Sequence, residues 1–262
     1  MNNFDAIEDY INGDLSGQDR IAFETRLKTD IDLQKDYQDW VNTENILKKH
    51  LSAQDKTIQL KSTHSLQAQN FSEGEKEIIL SGDTSTMLRV IPLSEPVGQK
   101  ALRTISLDIA FDDPLLTTLK NRMLKAVQDP ANRGVGIAAP QVGINRNLIW
   151  VQRFDKKEQP FEFFINPKII WRSDFLLQGV EGDLSFQDRD DVIRNYAIMV
   201  SYIDTTGRQQ IEMMEEFTSI IFQHETDHLS GILFTDRVAD QKNKRYAPFQ
   251  PKRAKALLRE IK

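Results

Sequence analysis

The segment Gln223-His224-Glu225-Thr226-Asp227-His228 has the residue types and spacing of a metal-dependent hydrolase site carried on a helix. Residues four apart stack on one face of an α-helix, so His224 and His228 can turn two imidazoles toward a single ion. Glu225, one position after the first histidine, can reach a water beside that ion and act as a general base rather than as a ligand. The preceding run Phe217-Thr218-Ser219-Ile220-Ile221-Phe222 supplies an apolar face that would bury the helix, and Gly231 offers a left-handed stop. The same five-residue pattern also arises on exposed polar helices, where it does no chemistry; the apolar run in front of it suits a buried site better. A tetrahedral catalytic ion needs a third protein ligand and an open position. Of the four histidines, His50 and His64 lie in polar, linker-like sequence, and the chain has no cysteine. The third ligand is therefore Asp, Glu or a neighbouring oxygen.

Two further segments bear on that ligand. Gly134-Val135-Gly136-Ile137-Ala138-Ala139-Pro140-Gln141 joins a helix pattern to a strand pattern, and Val180-Glu181-Gly182-Asp183-Leu184-Ser185 follows another strand. With His224-Glu225-Thr226-Asp227-His228, the three in this order and spacing resemble the peptide deformylase family over roughly residues 76 to 240. One departure stands out. The family's second motif reads E-G-C-L-S, with the cysteine a metal ligand, and here that position is Asp183. A carboxylate is an accepted ligand for zinc and iron, and it carries the same charge as a metal-bound thiolate. It reaches one bond further, is a harder donor, and can fill the open position by binding through both oxygens.

The resemblance implies that Asp183, His224 and His228 hold one divalent ion, Fe2+ or Zn2+, which would lower the pKa of a water toward about 7. It implies that Glu225 moves the proton, and that the Gln141 side-chain amide and the Leu184 backbone N–H meet the oxyanion formed at a formyl carbon. The backbone of Gly134, Val135 and Gly136 would pair with the peptide substrate; in isolation these residues read equally as a tight turn. Val135, Phe217, Ile220 and Ile221 would take the methionine side chain, or simply pack as core. Arg189 falls near a family arginine that touches the substrate backbone, with a one-residue gap. Glu181 and Arg194 match a pair that braces the second motif, or form a plain surface pair. The proline usual after L-S is absent, since Phe186 and Gln187 follow Ser185.

The reaction so implied is hydrolysis of the N-formyl group from nascent peptides. With aspartate in place of cysteine, the alternative is a non-catalytic or impaired relative that binds peptide amino termini. Two histidines and a carboxylate also make iron oxygenase sites, but Glu225, where a hydrolytic base belongs, counts against that.

The elements that must position these residues read as an α+β fold, antiparallel strands around the buried His-Glu-x-x-His helix. A helix is expected from Asp113 as cap and Pro114 in the first turn, with Leu116, Leu119, Met123 and Val127 on one face. Strands are expected at 148–154, 161–165, 168–171, 197–203 and 210–214, with Asp204-Thr205-Thr206-Gly207 turning between the last two. Residues 1–50 read as a helical module capped at Ser16 and Asp30, with Leu33, Tyr37, Trp40 or Val41 and Leu47 at helical spacing and an unknown protein partner. Residues 51–75 read as a polar linker, 76–240 as the catalytic domain and 241–262 as a basic tail. That tail has eight basic residues, from Lys242 to Lys262, against the single acid Glu260, in a chain of net charge −5. It suits docking on ribosomal RNA, or serves only solubility. The absent cysteines, the lack of an apolar run near about twenty residues and the lack of a signal-like amino terminus fit a cytoplasmic protein without a membrane segment.

Overall fold

The computed structural model describes residues 3–12, 15–38, 41 and 68–242. The chain divides into two compact units, Met1–Lys61 and Ser62–Lys262. In the first, α1 (Asn3–Asn12), α2 (Gly17–Thr29) and a helical stretch at 31–38 (α3) surround Ala6, Ile7, Phe23 and Leu33. The caps are those expected: Ser16 accepts from the Asp19 N–H, and the Asp30 carboxylate accepts from the N–H groups of Asp32 and Leu33. Tyr37 packs with Tyr10 and Phe23; Trp40 and Leu47 lie outside the described residues.

The second unit begins earlier than its polar composition suggests. Residues 68–75, read as the end of the linker, belong to the core. Phe71 is buried, and Ser72 with Glu75 forms a reciprocal capping box that opens α4 (Glu73–Ile79). Glu75 also meets the buried Arg146 guanidinium at 2.8 Å. Helix α5 (Pro96–Arg103) follows, then the expected α6 (Leu116–Val127). Asp113 does not cap α6 with its side chain; its carboxylate accepts from the N–H groups of Leu115 and Phe71, tying the turn before the helix to the start of the core.

Five antiparallel strands form one sheet in the order β1 (Gly136–Ala138), β2 (Leu148–Gln152), β3 (Phe161–Arg172), β6 (Ala197–Ile203), β7 (Gln209–Glu215). Strands β4 (Leu176–Asp183) and β5 (Phe186–Asn195) make a separate hairpin. Alternation on the central strands explains why β2 is apolar from Leu148 to Val151. Leu148 and Trp150 face the side of the sheet covered by Leu119, Met123 and Val127 of α6, whereas Ile149 and Val151 face Ile221, Phe222 and Leu229 of α7 (Glu216–Leu229). Helix α7 is thus buried between the sheet and its other neighbours, ends at Leu229 with Gly231 at φ +71° two residues beyond, and is followed by α8 (Phe234–Lys242).

The runs 161–165 and 168–171 are one bent strand. Asn166 takes φ +51° between them, and its side chain bonds both the N–H and the carbonyl of Ile109. The turn at Asp204-Thr205-Thr206-Gly207 is as expected, with Gly207 at φ +82°. Residues 243–262, the basic tail beyond Lys242, lie outside the described residues.

Burial alone would raise the Glu75 carboxyl, but the Arg146 guanidinium and the Ser72 donors outweigh it and hold it below its ordinary value. Such a group stabilises the fold above the unfolded carboxyl pKa of about 4.3 and loses that contribution as pH falls through its folded value. Glu75→Gln is therefore expected to cost about 2 kcal/mol at pH 7. In urea melts across pH, the gap from the parent protein should narrow below about pH 4.3; a gap independent of pH would contradict the ion-pair account.

Candidate active site

Helix α7 presents His224 and His228 one turn apart, with ring centroids 5.0 Å from each other. The third donor comes from the far end of β4, where the pairing with β5 shifts register between Glu181 and Asp183 and a tight turn at Leu184-Ser185 follows. That irregularity brings the Asp183 side chain, which is fully buried, onto α7. Its Oδ2 lies 3.0 Å from His228 Nε2 and 3.6 Å from His224 Nε2. One donor atom from each of Asp183, His224 and His228 lies within 4.8 Å of the other two.

These residues fit a divalent ion. Two donors each about 2.1 Å from a tetrahedral ion stand about 3.4 Å apart, close to the separations observed. Asp183 Oδ2 and His228 Nε2 are both buried without a hydrogen-bond partner, which is costly unless something else satisfies them. Asp183 Oδ1 accepts from Gln141 Nε2 at 3.0 Å and from the Ser185 N–H at 2.7 Å. Burial would raise the Asp183 carboxyl, but His228 and His224 outweigh it and hold it far below its usual range. His224 is held well above its ordinary pKa because Asp183 and Glu181 overcome the opposing effect of burial. An ion entering here therefore competes with a proton on His224.

Behind the donors runs a buried chain of charge. His224 Nδ1 donates to Glu181 Oε2 at 2.8 Å, which leaves Nε2 free to face Asp183. Glu181 is held by both arms of Arg194, at 2.7 and 2.8 Å, and Arg194 also donates to Asp227 at 2.5 Å. Burial pushes Glu181 up, yet Arg194 and His224 bring it down to about 2. Arg237 of α8 completes the set by donating to Asp227 through Nε at 2.9 Å. Glu181 and Arg194 are 7% and 4% exposed, so the surface-pair reading is wrong. The parts played by Asp227 and Arg237 were missed in the sequence. A charged residue inside an otherwise buried helix was the available signal.

Glu225 is buried one residue after His224. Its Oε1 lies against Gly136, where an added Cβ would come within 2.3 Å of it, and its Oε2 has no partner. Burial raises its carboxyl to about 7 against the pull of His224 and His228, with Asp183 and Glu181 pushing the same way as burial.

A cleft of about 1020 Å³ opens over these groups. Its lining includes Gly134, Val135, Gly136, Gln141, Asp183, Leu184, Arg189, Phe217, Ile220, Ile221, His224 and Glu225; His228 sits behind them. The residues named in the sequence as candidate metal ligands, catalytic groups and substrate contacts are thus gathered at one place. Arg189 lies across Gly182, 3.5 Å from the position of a Cβ there. Where a proline is usual, Phe186 stacks on Phe234 of α8 at 5.2 Å, and Phe234 in turn lies against the His224 ring. The loop before α5 is pinned to the same turn, since the Leu93 N–H donates to the Ser185 carbonyl at 2.8 Å.

Residues 94–244 match the polypeptide deformylase family. The peptide deformylase of Brachyspira hyodysenteriae is 38% identical over 170 residues, covering 63% of this chain and 86% of that protein. That of a Synechocystis species is 42% identical over 144 residues, 54% of this chain and 76% of its own length. Among solved structures, a class I type b peptide deformylase from Acinetobacter baumannii with Met-Ala-Ser bound is 31% identical, with a TM-score of 0.52 over 58% of this chain and 99% of that one. Arabidopsis thaliana peptide deformylase 1B in complex with an inhibitor is 31% identical, with a TM-score of 0.53 over 60% and 85%.

Arg194→Met removes one cation from between two buried carboxylates. It is expected to destabilise the protein by about 3–5 kcal/mol in urea melts. A loss below about 1 kcal/mol, as exposed pairs give, would contradict the buried role assigned to this guanidinium.

Proposed function

Because the chain belongs to the polypeptide deformylase family, we propose that it hydrolyses the N-formyl group from the amino-terminal methionine of nascent peptides and releases formate. The observation that carries this reading is the buried cluster of Asp183, His224 and His228 with the partnerless Glu225 carboxylate beside it. Asp183, His224 and His228 would hold Zn2+ or Fe2+. When bound, the ion supplies a Lewis acid that makes hydroxide available near neutral pH and polarises the formyl carbonyl.

The remaining work falls to the protein. Glu225, with a carboxyl near neutrality, takes the proton of the attacking water and delivers it to the departing amine nitrogen as the C–N bond breaks. The free N–H of the Gln141 amide and the backbone N–H of Leu184 meet the charge that develops on the formyl oxygen. The backbone from Gly134 to Gly136 pairs with an extended peptide, because glycine lets another chain approach closely. Val135, Phe217, Ile220 and Ile221 form the apolar wall for the methionine side chain, and Arg189 contacts the peptide at the rim. The Met-Ala-Ser bound to the Acinetobacter baumannii relative supports a peptide as occupant of this cleft.

Metal analysis combined with turnover of a formyl-methionyl peptide tests the reading. The chain should carry one divalent ion and release formate, while Glu225→Ala should keep the ion and lose about 10²–10⁴-fold in rate. Bound metal with no turnover above the Glu225→Ala control would instead identify a peptide-binding relative without chemistry.

The basic residues between Lys242 and Lys262 suit a polyanion such as ribosomal RNA, which would bring the cleft to emerging chains in the cytoplasm. Ribosome co-sedimentation should weaken as salt rises and be lost on deleting residues 251–262; binding that survives the deletion would remove this role. Residues 1–50 would serve a protein partner. Among the described residues no helix is long and apolar enough to cross a membrane.

A further inference from the structure

A carboxylate ligand poses a problem that a thiolate does not: both of its oxygens can grip an ion and so occupy the place a reacting water needs. The two oxygens of Asp183 are in unlike surroundings. Oδ2 is buried, without a hydrogen bond, and faces the two imidazoles. Oδ1 accepts two N–H groups, from Gln141 Nε2 at 3.0 Å and from the Ser185 backbone at 2.7 Å.

The Gln141 amide has only one orientation that satisfies its neighbours. The Ala138 N–H can only donate and fixes Oε1 at 2.9 Å, so the NH2 must face a carboxylate that can only accept. Gln141 is 1% exposed and sits on the short helical turn Ala139–Val142, so this amide is held from both ends. The second donor is local to Asp183. An aspartate that accepts the N–H two residues ahead closes an Asx turn, which a cysteine makes less well, so the exchanged residue also shapes the loop that carries it. Swinging Oδ1 toward an ion would strand two buried donors.

We propose that Gln141, together with the Ser185 backbone N–H, is a positioning residue that keeps Asp183 a one-oxygen donor, so that the open position survives replacement of the ligand cysteine by aspartate. This rests on the metallohydrolase reading above.

The full-length chain loaded with Co2+ tests it, because the visible bands of Co2+ are strong for four-coordinate ions and weaker, at shorter wavelength, for five-coordinate ones. The parent protein should bind one equivalent and give the strong spectrum. Gln141→Met, nearly isosteric, and Gln141→Leu should keep Co2+ while the bands weaken and move to shorter wavelength; two variants guard against one that fails to fold, which urea melts would reveal. In the Asp183→Cys background, the same Gln141 substitutions should leave the spectrum unchanged, since sulfur has no second donor atom to swing in. Coincident spectra of parent and Gln141 variants would overturn the proposal, and so would an equal change in the Asp183→Cys background. Either result leaves metal binding intact, whereas a parent protein that takes up no Co2+ overturns the metal-centre reading and this inference with it.

Discussion

A helix that carries two imidazoles and two carboxylates into a protein interior must be compensated for the water those groups lose, and the guanidinium of Arg194 supplies that compensation for Asp227 and, through Glu181, for His224. It joins Glu181 of β4 to Asp227 of α7, and Glu181 in turn orients the ring of His224. Hairpin and helix are therefore clamped together beside the cleft, and Asp183 and His224 inherit their positions from that clamp. A buried ion pair adds little net stability compared with apolar packing. Its value here is geometric, since through Glu181 it fixes the direction of the His224 ring, whose Nε2 faces Asp183.

The apolar structure works to the same end. The five-stranded sheet is covered on one side by α6 and on the other by α7, which packs directly on β2. On its remaining flank, Phe234 of α8 lies between Phe186 of the hairpin and the ring of His224. The hairpin is thus tied to α7 by charge at Arg194 and by aromatic contact at Phe234. Gly136 supplies the last constraint: the absence of a side chain there makes room for the Glu225 carboxylate.

Much of the site could be read from the sequence, because its central spacing is local. Two histidines four apart need only a helix to converge, and the apolar run before them announces one. Asp183 is more than forty positions away in sequence, and only the likeness of its motif to a known family singled it out. The long-range partners were harder still. Nothing near Asp227 in sequence reveals that Arg194 and Arg237 will meet it, and Ser72-Glu75 carried a capping signal inside a stretch whose polarity resembled a linker. Strand β5 was invisible for a related reason: Gln187 to Asp191 is polar because that part of the hairpin is largely exposed, and the buried Val192 and Arg194 come only after it. The break between 165 and 168 was legible in Asn166-Pro167, but its meaning was not. A side chain that clasps both backbone groups of Ile109 keeps the strand continuous through the bend.

Asp183 also changes how this centre meets oxidants. A ligand thiolate can be carried stepwise to sulfenic, sulfinic and sulfonic acids, and the later steps cost the protein its metal for good. A carboxylate has no such chemistry, and the chain contains no cysteine elsewhere that could form a disulfide or enter that series. Peroxide reaching the cleft therefore meets a carboxylate at position 183, where a thiolate would be open to oxidation.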